Sequence, residues 1–393
     1  MTVVISSAAR TPIGAFQGAL SPLKASQLGA AAIRAALERA QLGPEGVDLV
    51  LMGNVLQAGQ GQAPARQAAL YAGLHQRTQS VTLNKMCGSG LEALLQAARA
   101  IMVGDAEVVV AGGMESMTNA PYLLPGARGG LRLGDAKLVD SMVHDGLWDV
   151  YNDKHMGSCA ELCAAEYAFT REAQDEYAER SYRRAQQAMA DGTFAAEIAP
   201  VEVEGRRGQV TRVEQDEGPI QVDFEKMRKL RPAFEGEGTV TAANASTLND
   251  GAAALVVTSE EVAAARGMPV LARVTGYAGS AAAPEWFTTA PVAAMKALYD
   301  KLGWQPGDVD VYEINEAFSV VPMAAMREFG LPADRVNVHG GAVALGHPIG
   351  ASGARIVVTL LNALQRRGGQ RGMASICIGG GEALALALAL ERV

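Results

Sequence analysis

The run Val81-Thr82-Leu83-Asn84-Lys85-Met86-Cys87-Gly88-Ser89-Gly90-Leu91-Glu92-Ala93 reads as the end of a strand, a glycine-rich turn and the start of a helix. Leu91 to Met102 continues with apolar residues at helical spacing, and Glu107 to Ala111 then forms a strand that ends in Gly112-Gly113. Upstream, Val3 to Ala9 is a strand, Ser26 to Leu42 a helix stopped by Gly43, and Val47 to Met52 a second strand. This β-α-β alternation predicts a mainly parallel sheet with helices on its faces.

The C-terminal third repeats the order. Leu271 to Gly276 is a strand, Pro291 to Leu302 a helix ending at Gly303, and Val309 to Ile314 a strand that echoes Val47 to Met52. Arg335 to Val338 then leads through Gly346-His347-Pro348-Ile349-Gly350 into a helix reaching Arg366, after which Met373 to Cys377 runs into Gly379-Gly380-Gly381. Ala383 to Leu390 is a fifth strand, and its counterpart in the first half is Ala253 to Thr258. An insertion therefore runs from about Ser116 to Asp250. Its amphipathic helix, Arg171 to Ala190, and its charged run, Glu202 to Arg231, give it the character of a lid over a duplicated core.

Composition narrows the function. The chain has 393 residues, 49% hydrophobic and 19% charged, which suits a globular protein with more than one core. Its 34 Lys and Arg against 42 Asp and Glu leave a net charge of −8, so it lacks the basic surface that nucleic acid or an anionic membrane requires. Any anionic ligand must find a local basic patch. The longest apolar runs, such as Leu384 to Leu390, fall well short of a membrane span of ~18 residues. Met1 to Ala9 reads as a strand rather than a signal peptide, and Glu391-Arg392-Val393 is no peroxisomal address. Cys87, Cys159, Cys163 and Cys377 are too few and too scattered for a disulfide framework, which predicts a reducing cytoplasm.

Several residues have the setting of catalytic groups. Cys87 lies where free backbone N–H groups and a helix dipole favour thiolate, so it reads either as a nucleophile or as a small buried apolar residue. His347 occupies the corresponding turn of the second half. If the halves face each other about a pseudo-two-fold axis, the two side chains converge as a nucleophile and base. Cys377 precedes three glycines whose N–H groups could serve as oxyanion donors, though such a run also marks bulges and phosphate cradles. Asn315 and Glu316 follow a strand, at the sheet end where open α/β folds place ligands. Gly88-Ser89-Gly90-Leu91-Glu92-Ala93 fits a loose dinucleotide pattern, but the next strand ends in glycines rather than the acidic residue that holds a ribose. His155, Cys159 and Cys163 recur every four residues, yet the outer two would stand ~12 Å apart along a helix and cannot share one metal ion.

Taken together, these segments resemble the thiolase family, and within it the acetyl-CoA acetyltransferases. The likeness spans essentially the whole chain. It rests on Asn84-Lys85-Met86-Cys87-Gly88-Ser89-Gly90, Gly112-Gly113-Met114-Glu115-Ser116-Met117, His155-Met156-Gly157, Lys229-Leu230-Arg231-Pro232-Ala233-Phe234, Asn244-Ala245-Ser246, Asn315-Glu316-Ala317-Phe318, Gly346-His347-Pro348-Ile349-Gly350 and Cys377-Ile378-Gly379-Gly380-Gly381. The resemblance implies an α/β fold with a thiolase-like duplicated βαβαβαββ core of two similar domains and an inserted loop domain. The expected boundaries are 1–117 with 251–270, 118–250, and 271–393.

The resemblance also implies roles. Cys87 would accept the acyl group, His347 would activate it, and Cys377 would remove the α-proton of a second acetyl-CoA. Asn315 would hold a water that, with His347, forms one oxyanion hole, and the N–H groups of Cys87 and Gly379 would form the other. His155, Met156, Lys226, Leu230, Phe234, Ala242, Ser246, Ala317 and Phe318 would receive acetyl-CoA, with coenzyme A as a substrate rather than a resident cofactor and no metal. The implied reaction is Claisen condensation of two acetyl-CoA to acetoacetyl-CoA and the reverse thiolysis. The alternative is a broader-range 3-ketoacyl-CoA thiolase of fatty-acid β-oxidation. The expected assembly is a homotetramer, a dimer of dimers.

Overall fold

The structure, a computed structural model, describes residues 1–205 and 208–390. Arg206 and Arg207, within the charged run, and the terminal Glu391-Arg392-Val393 lie outside the described residues. The main strands are β1 (Val3–Arg10), β2 (Leu49–Gly53), β3 (Gln79–Leu83), β4 (Val108–Ser116), β5 (Asn249–Ser259), β6 (Ala272–Ala281), β7 (Val311–Ile314), β8 (Arg371–Ile378) and β9 (Glu382–Ala389). They form one sheet in the order β7-β8-β9-β6-β1-β5-β4-β2-β3, with the two-residue strand Gly14–Ala15 added beside β5. The order is mirrored about the β6/β1 junction, so each half of the duplication supplies one wing. Within the sheet the wings pair at Val4↔Arg273 and Ile5↔Ala272.

The sheet is mixed, not mainly parallel. β2, β3 and β4 pair in parallel at one end and β7 with β8 at the other, while the central strands run antiparallel. The antiparallel pairs arise because β8 returns directly as β9 through Gly379-Gly380-Gly381, with Ile378 opposite Glu382, and β5 is the matching return strand of the first half. A second difference concerns Arg335 to Val338, where a strand matching β3 was expected. Only a single bridge, Tyr312↔Val336, forms there. Asn337 stops it: its φ of +47° is incompatible with a strand, and its side chain is spent on the Ile314 backbone, accepting from N at 2.8 Å and donating to O at 2.8 Å.

The major helices are α1 (Ala25–Arg39), α2 (Pro64–Tyr71), α3 (Ser89–Val103), α4 (Met156–Glu166), α5 (Arg171–Ala190), α6 (Ala290–Leu302), α7 (Val320–Phe329) and α8 (Ile349–Arg367). α1 and α2 cover one face of the N-terminal wing, and α6 and α7 cover the C-terminal wing. α3 and α8 belong to one core cluster with strands of both wings, and every residue of α8 from Ile349 to Leu364 is buried. Such a helix must be apolar all round, and its two charged or amide exceptions, Arg355 and Asn362, carry specific partners.

α3 and α8 touch backbone to backbone. A Cβ placed on Gly90 would lie 2.7 Å from the Ala354 nitrogen, and one on Gly353 would strike the Leu91 nitrogen. The two glycines occupy matching places in the duplicated helices. The insertion lies over this core, and α5 is tied down by Glu316, whose buried carboxylate accepts from Tyr177 Oη at 2.9 Å, Ser181 Oγ at 2.7 Å, Asn337 Nδ2 at 2.8 Å and the Val343 N–H at 3.1 Å. No helix among the described residues is long and apolar enough to cross a membrane.

Because Gly353 meets backbone rather than a yielding side chain, Gly353→Val should destabilise the fold by about 3 kcal/mol or more, the upper range for overpacking a core. Denaturant unfolding measures this directly. A variant with an unchanged midpoint would show that the helices can separate freely and that their contact is not limiting.

Candidate active site

Cys87 stands at the N-terminus of α3 in a turn whose geometry is set by its neighbours. Met86 before it has φ +47°, a conformation that costs a non-glycine residue energy and is held by hydrogen bonds on both sides. Asn84 Oδ1 accepts from Met86 N at 2.9 Å, Ser89 Oγ donates to Met86 O at 2.6 Å, and the same hydroxyl accepts from Lys85 N at 2.8 Å. Lys85 also forms an ion pair with Glu382, just beyond the triple glycine, joining the turn to the other wing.

His347 sits at the start of α8. The preceding Gly346 has φ +108°, and any side chain there would collide with the Asn249 carboxamide. Asn249 Oδ1 in turn accepts the His347 N–H at 3.0 Å. The imidazole Nδ1 lies 2.6 Å from Ser352 Oγ, which also reaches the Pro348 carbonyl at 3.0 Å. Nε2 is buried and has no protein partner, and the residue lines the chamber described below. A carboxylate braces the same turn from the first half: Glu115 accepts from Gly350 N at 3.0 Å, Val55 N at 2.9 Å and Asn54 Nδ2 at 2.7 Å. Burial raises Glu115 to about 7 against the opposing pull of these donors.

Cys87, His347 and Gly379 open on one chamber of about 630 Å³. Of the residues expected to receive substrate, His155, Met156, Phe234, Ala242, Ser246, Ala317 and Phe318 line it. Lys226 and Leu230 do not: Lys226 is 82% exposed beside Asp223, and Leu230 is also on the surface. Asn315 and Cys377 are not among the chamber's lining residues; they sit at the neighbouring ends of β7 and β8, and both are fully buried. Asn315 N donates to Ser375 O at 2.9 Å, and its Nδ2 has no protein partner.

The chamber is apolar and aromatic on its inserted side. The His155 ring stacks on Phe234 at 4.7 Å, Phe234 meets Phe318 edge-on at 6.0 Å, and Phe318 meets Phe287 at 6.3 Å. Phe234 lies so close to Gly157 that no side chain would fit there. His155 Nδ1 accepts from Gly157 N at 3.0 Å, which places any ring proton on Nε2, and burial lowers its pKa. Ser246 Oγ donates to Ala317 O at 2.9 Å, so toward a ligand it can only accept.

The electrostatics correct one expectation. Cys87 is not a resting thiolate: burial pushes its thiol up to about 11, outweighing the N–H groups of Gly379 and Cys87 that reach the sulfur and lower it. Part of the residue remains accessible from the chamber, but its surroundings are packed with apolar side chains. His347 is driven down to about 3, by burial first and by the Arg355 charge second, and is therefore a neutral imidazole. Burial also raises Cys377 far above the ordinary thiol range, and the nearby Cys87 adds to it. The resting pair is thiol and imidazole.

Several contributors escaped the sequence reading. Ser352 and Asn249 hold the His347 ring and backbone, while Met117, Met142, Leu147 and Ile349 complete the apolar wall. Ser352 had a usable signal, being a hydroxyl one turn into the helix that His347 begins. Asn249 and Met142 had none, because only the folded insertion brings them to the site.

Matches to known proteins agree with this geometry. The thiolase N-terminal domain model matches residues 3–261 and the thiolase C-terminal domain model residues 268–390. An acetyl-CoA acetyltransferase of Cupriavidus necator is 53% identical over 391 residues, covering 99% of each chain. Acetyl-CoA acetyltransferase 2 of Arabidopsis thaliana is also 53% identical, covering 99% of this chain and 97% of its own. A crystal structure of the Acat5 thiolase from Ascaris suum in complex with coenzyme A superposes with a TM-score of 0.94 at 44% identity, covering 100% of both chains. With both halves of the duplication matched and the cysteine and histidine turns meeting in one chamber, the chain belongs to the thiolase family.

Proposed function

We propose that this thiolase is an acetyl-CoA C-acetyltransferase, condensing two acetyl-CoA to acetoacetyl-CoA and cleaving the product in reverse. The observation that carries the reading is the convergence of Cys87, the free Nε2 of His347 and two N–H groups on one apolar chamber. The broader-range reading is not favoured. Relatives matched over their full length include acetyl-CoA acetyltransferases, and none of these is a broader-range enzyme by name.

In the first half-reaction, Cys87 Sγ attacks the acetyl carbonyl while its proton passes to His347 Nε2. The N–H groups of Cys87 and Gly379 then stabilise the oxyanion, and the proton leaves with the coenzyme A thiol. While His347 is protonated, Nδ1 must donate to Ser352 Oγ, whose own proton has the Pro348 carbonyl to turn to. In the second half-reaction Cys377, acting as the thiolate, takes the α-proton of another acetyl-CoA, the new carbon–carbon bond forms at the acetyl carbon as its bond to Cys87 Sγ breaks, and Cys377 returns that proton to the departing Cys87 thiolate, which ends as a thiol. Burial suits Cys377 to this task, because a thiol of raised pKa is a strong base once deprotonated.

Coenzyme A is a substrate in this scheme, and no resident cofactor or metal is invoked. Ser246 accepts from a pantetheine amide, and Lys226 and Leu230 stand outside the chamber where only the nucleotide end would reach. We assign the core to 1–117 with 251–270 and 271–393, the loop domain to 118–250, and the location to the cytoplasm, where four unpaired cysteines are stable. The assembly is a homotetramer: Tyr122, Leu131, Leu133 and Leu138 lie exposed on the protruding segment and are too apolar to remain solvated.

If the two cysteines divide the work, Cys377→Ala still takes label from acetyl-CoA onto Cys87 but loses condensation and α-proton exchange by ~10²–10⁴-fold, whereas Cys87→Ala takes no label. Equal loss of labelling in both variants would end that division. Alkylation of the free enzyme at Cys87 should keep rising as pH climbs from about 7 to beyond 9, since the thiol ionises near 11 and His347 stays neutral throughout. A plateau established by about pH 7 would instead reveal a thiolate–imidazolium pair. Sedimentation should find a tetramer, and a stable monomer at micromolar concentration would contradict the assembly.

A further inference from the structure

Arg355 lies two turns into α8 from His347 and is only 2% exposed. Its hydrogen bonds are long for a buried cation, although the Glu313, Glu197 and Glu316 carboxylates lie near enough to favour its charge. Its Nη1 stands 3.4 Å from Glu313 Oε2, its Nη2 stands 3.5 Å from Asn315 Oδ1, and its Nε has no protein partner. Removing a guanidinium from water for such loose contacts is a poor way to stabilise a fold. What the arrangement does achieve is directional. Glu313 and Asn315 are two residues apart at the end of β7, so both side chains leave the same face of the sheet toward α8.

A guanidinium carries only donors, so the carboxamide beside it must present its oxygen. The orientation of the amide thus follows from the chemistry of its neighbour. With Oδ1 committed to Arg355, the donor end of the amide is turned away from it, and Nδ2 is left without a protein partner. Glu313 holds the guanidinium in place from the other side. The Arg355 charge also reaches His347, where it adds to the effect of burial in keeping the imidazole neutral.

We propose that Arg355 is a positioning residue for the condensation chemistry: it acts through Asn315, taking the carboxamide oxygen so that the amide nitrogen is the end offered to the reaction. The proposal rests on the reading of Asn315 as an oxyanion-side residue. It makes no claim that Arg355 touches substrate.

The test is a double-mutant comparison on acetoacetyl-CoA thiolysis. Arg355→Met is combined with Glu313→Gln, so that no buried charge is orphaned, and placed in the wild-type and Asn315→Ala backgrounds. In the wild-type background kcat should fall by ~10–100-fold with KM moving less than ~3-fold, somewhat below the loss expected for removing an oxyanion donor outright. In the Asn315→Ala background the same pair should cost less than ~3-fold, because the residue it positions is already gone. An equal loss in both backgrounds, or no loss in the wild-type one, overturns the proposal. Asn315→Ala alone separates the two readings. If it retains full kcat, Asn315 is not catalytic and both fall, whereas if it is slow and the Arg355 loss multiplies with it, only the positioning role falls. Should the paired variant fail to fold, Arg355→Lys is read in the same two backgrounds. Lysine keeps the charge but cannot span Glu313 and Asn315 together, so a ~10-fold fall confined to the wild-type background is expected.

Discussion

The proposed chemistry depends on how closely α3 and α8 approach. Each begins with a turn that carries one reactive side chain, and the distance between the turns is set by a crossing where backbone meets backbone at Gly90 and Gly353. Close contact brings dispersion over many atoms and excludes water from between the helices. It also makes the pair rigid, because neither helix can slide without driving a Cα into its neighbour. The wings of the sheet then need only hold the crossing from outside, which fits the slender two-residue junction between β1 and β6.

Burial at this crossing has an electrostatic consequence that shapes the chemistry. A thiolate beside an imidazolium would be two charges in an apolar setting, and the surroundings disfavour both: the thiol is pushed up and the imidazole down. In the proposed reaction charge is made only when substrate arrives, in a place where two N–H groups already face the sulfur. Preorganised donors that need not rearrange are the main resource of such a site. The buried polar groups nearby serve the same end. Glu115 pins the start of α8, Asn249 pins the His347 backbone, and Glu316 clamps the inserted helix over both. None of these contacts makes sense as stabilisation of an isolated helix. Each fixes one wing or the insertion relative to another.

Much of this was legible in the residues. The glycine-rich turns before two matching helices revealed the duplication, because tight turns need glycine wherever a side chain would collide, and Cys87 and His347 stood out in those turns, which the fold brings to one chamber. The helix Arg171–Ala190 was readable to the residue from its periodicity, and the insertion from the displacement of one strand. Strand direction was not legible. Alternation of strands and helices looks the same whether a return strand closes parallel or antiparallel, and the triple-glycine hairpin was read as a donor site rather than as a reversal of the chain. Arg335 to Val338 misled for a related reason, since so short a stretch carries no sign that its own Asn337 will adopt positive φ and give its side chain to a neighbouring strand.

The sequence by itself determined which chemistry is available: two cysteines, a histidine and an asparagine, each at the end of an element where backbone donors are free and side chains have room. These are local properties, encoded by a few adjacent residues and by the spacing that makes a strand or a helix. The tertiary structure alone decided the charge state and the supporting cast. Whether Cys87 is thiol or thiolate depends on how much apolar matter surrounds it, and that matter comes from the insertion and from both wings. Likewise Ser352, Asn249, Glu115 and Arg355 acquire their tasks only where distant segments meet, because hydrogen bonds and desolvation act through space over a few ångströms and take no account of separation along the chain.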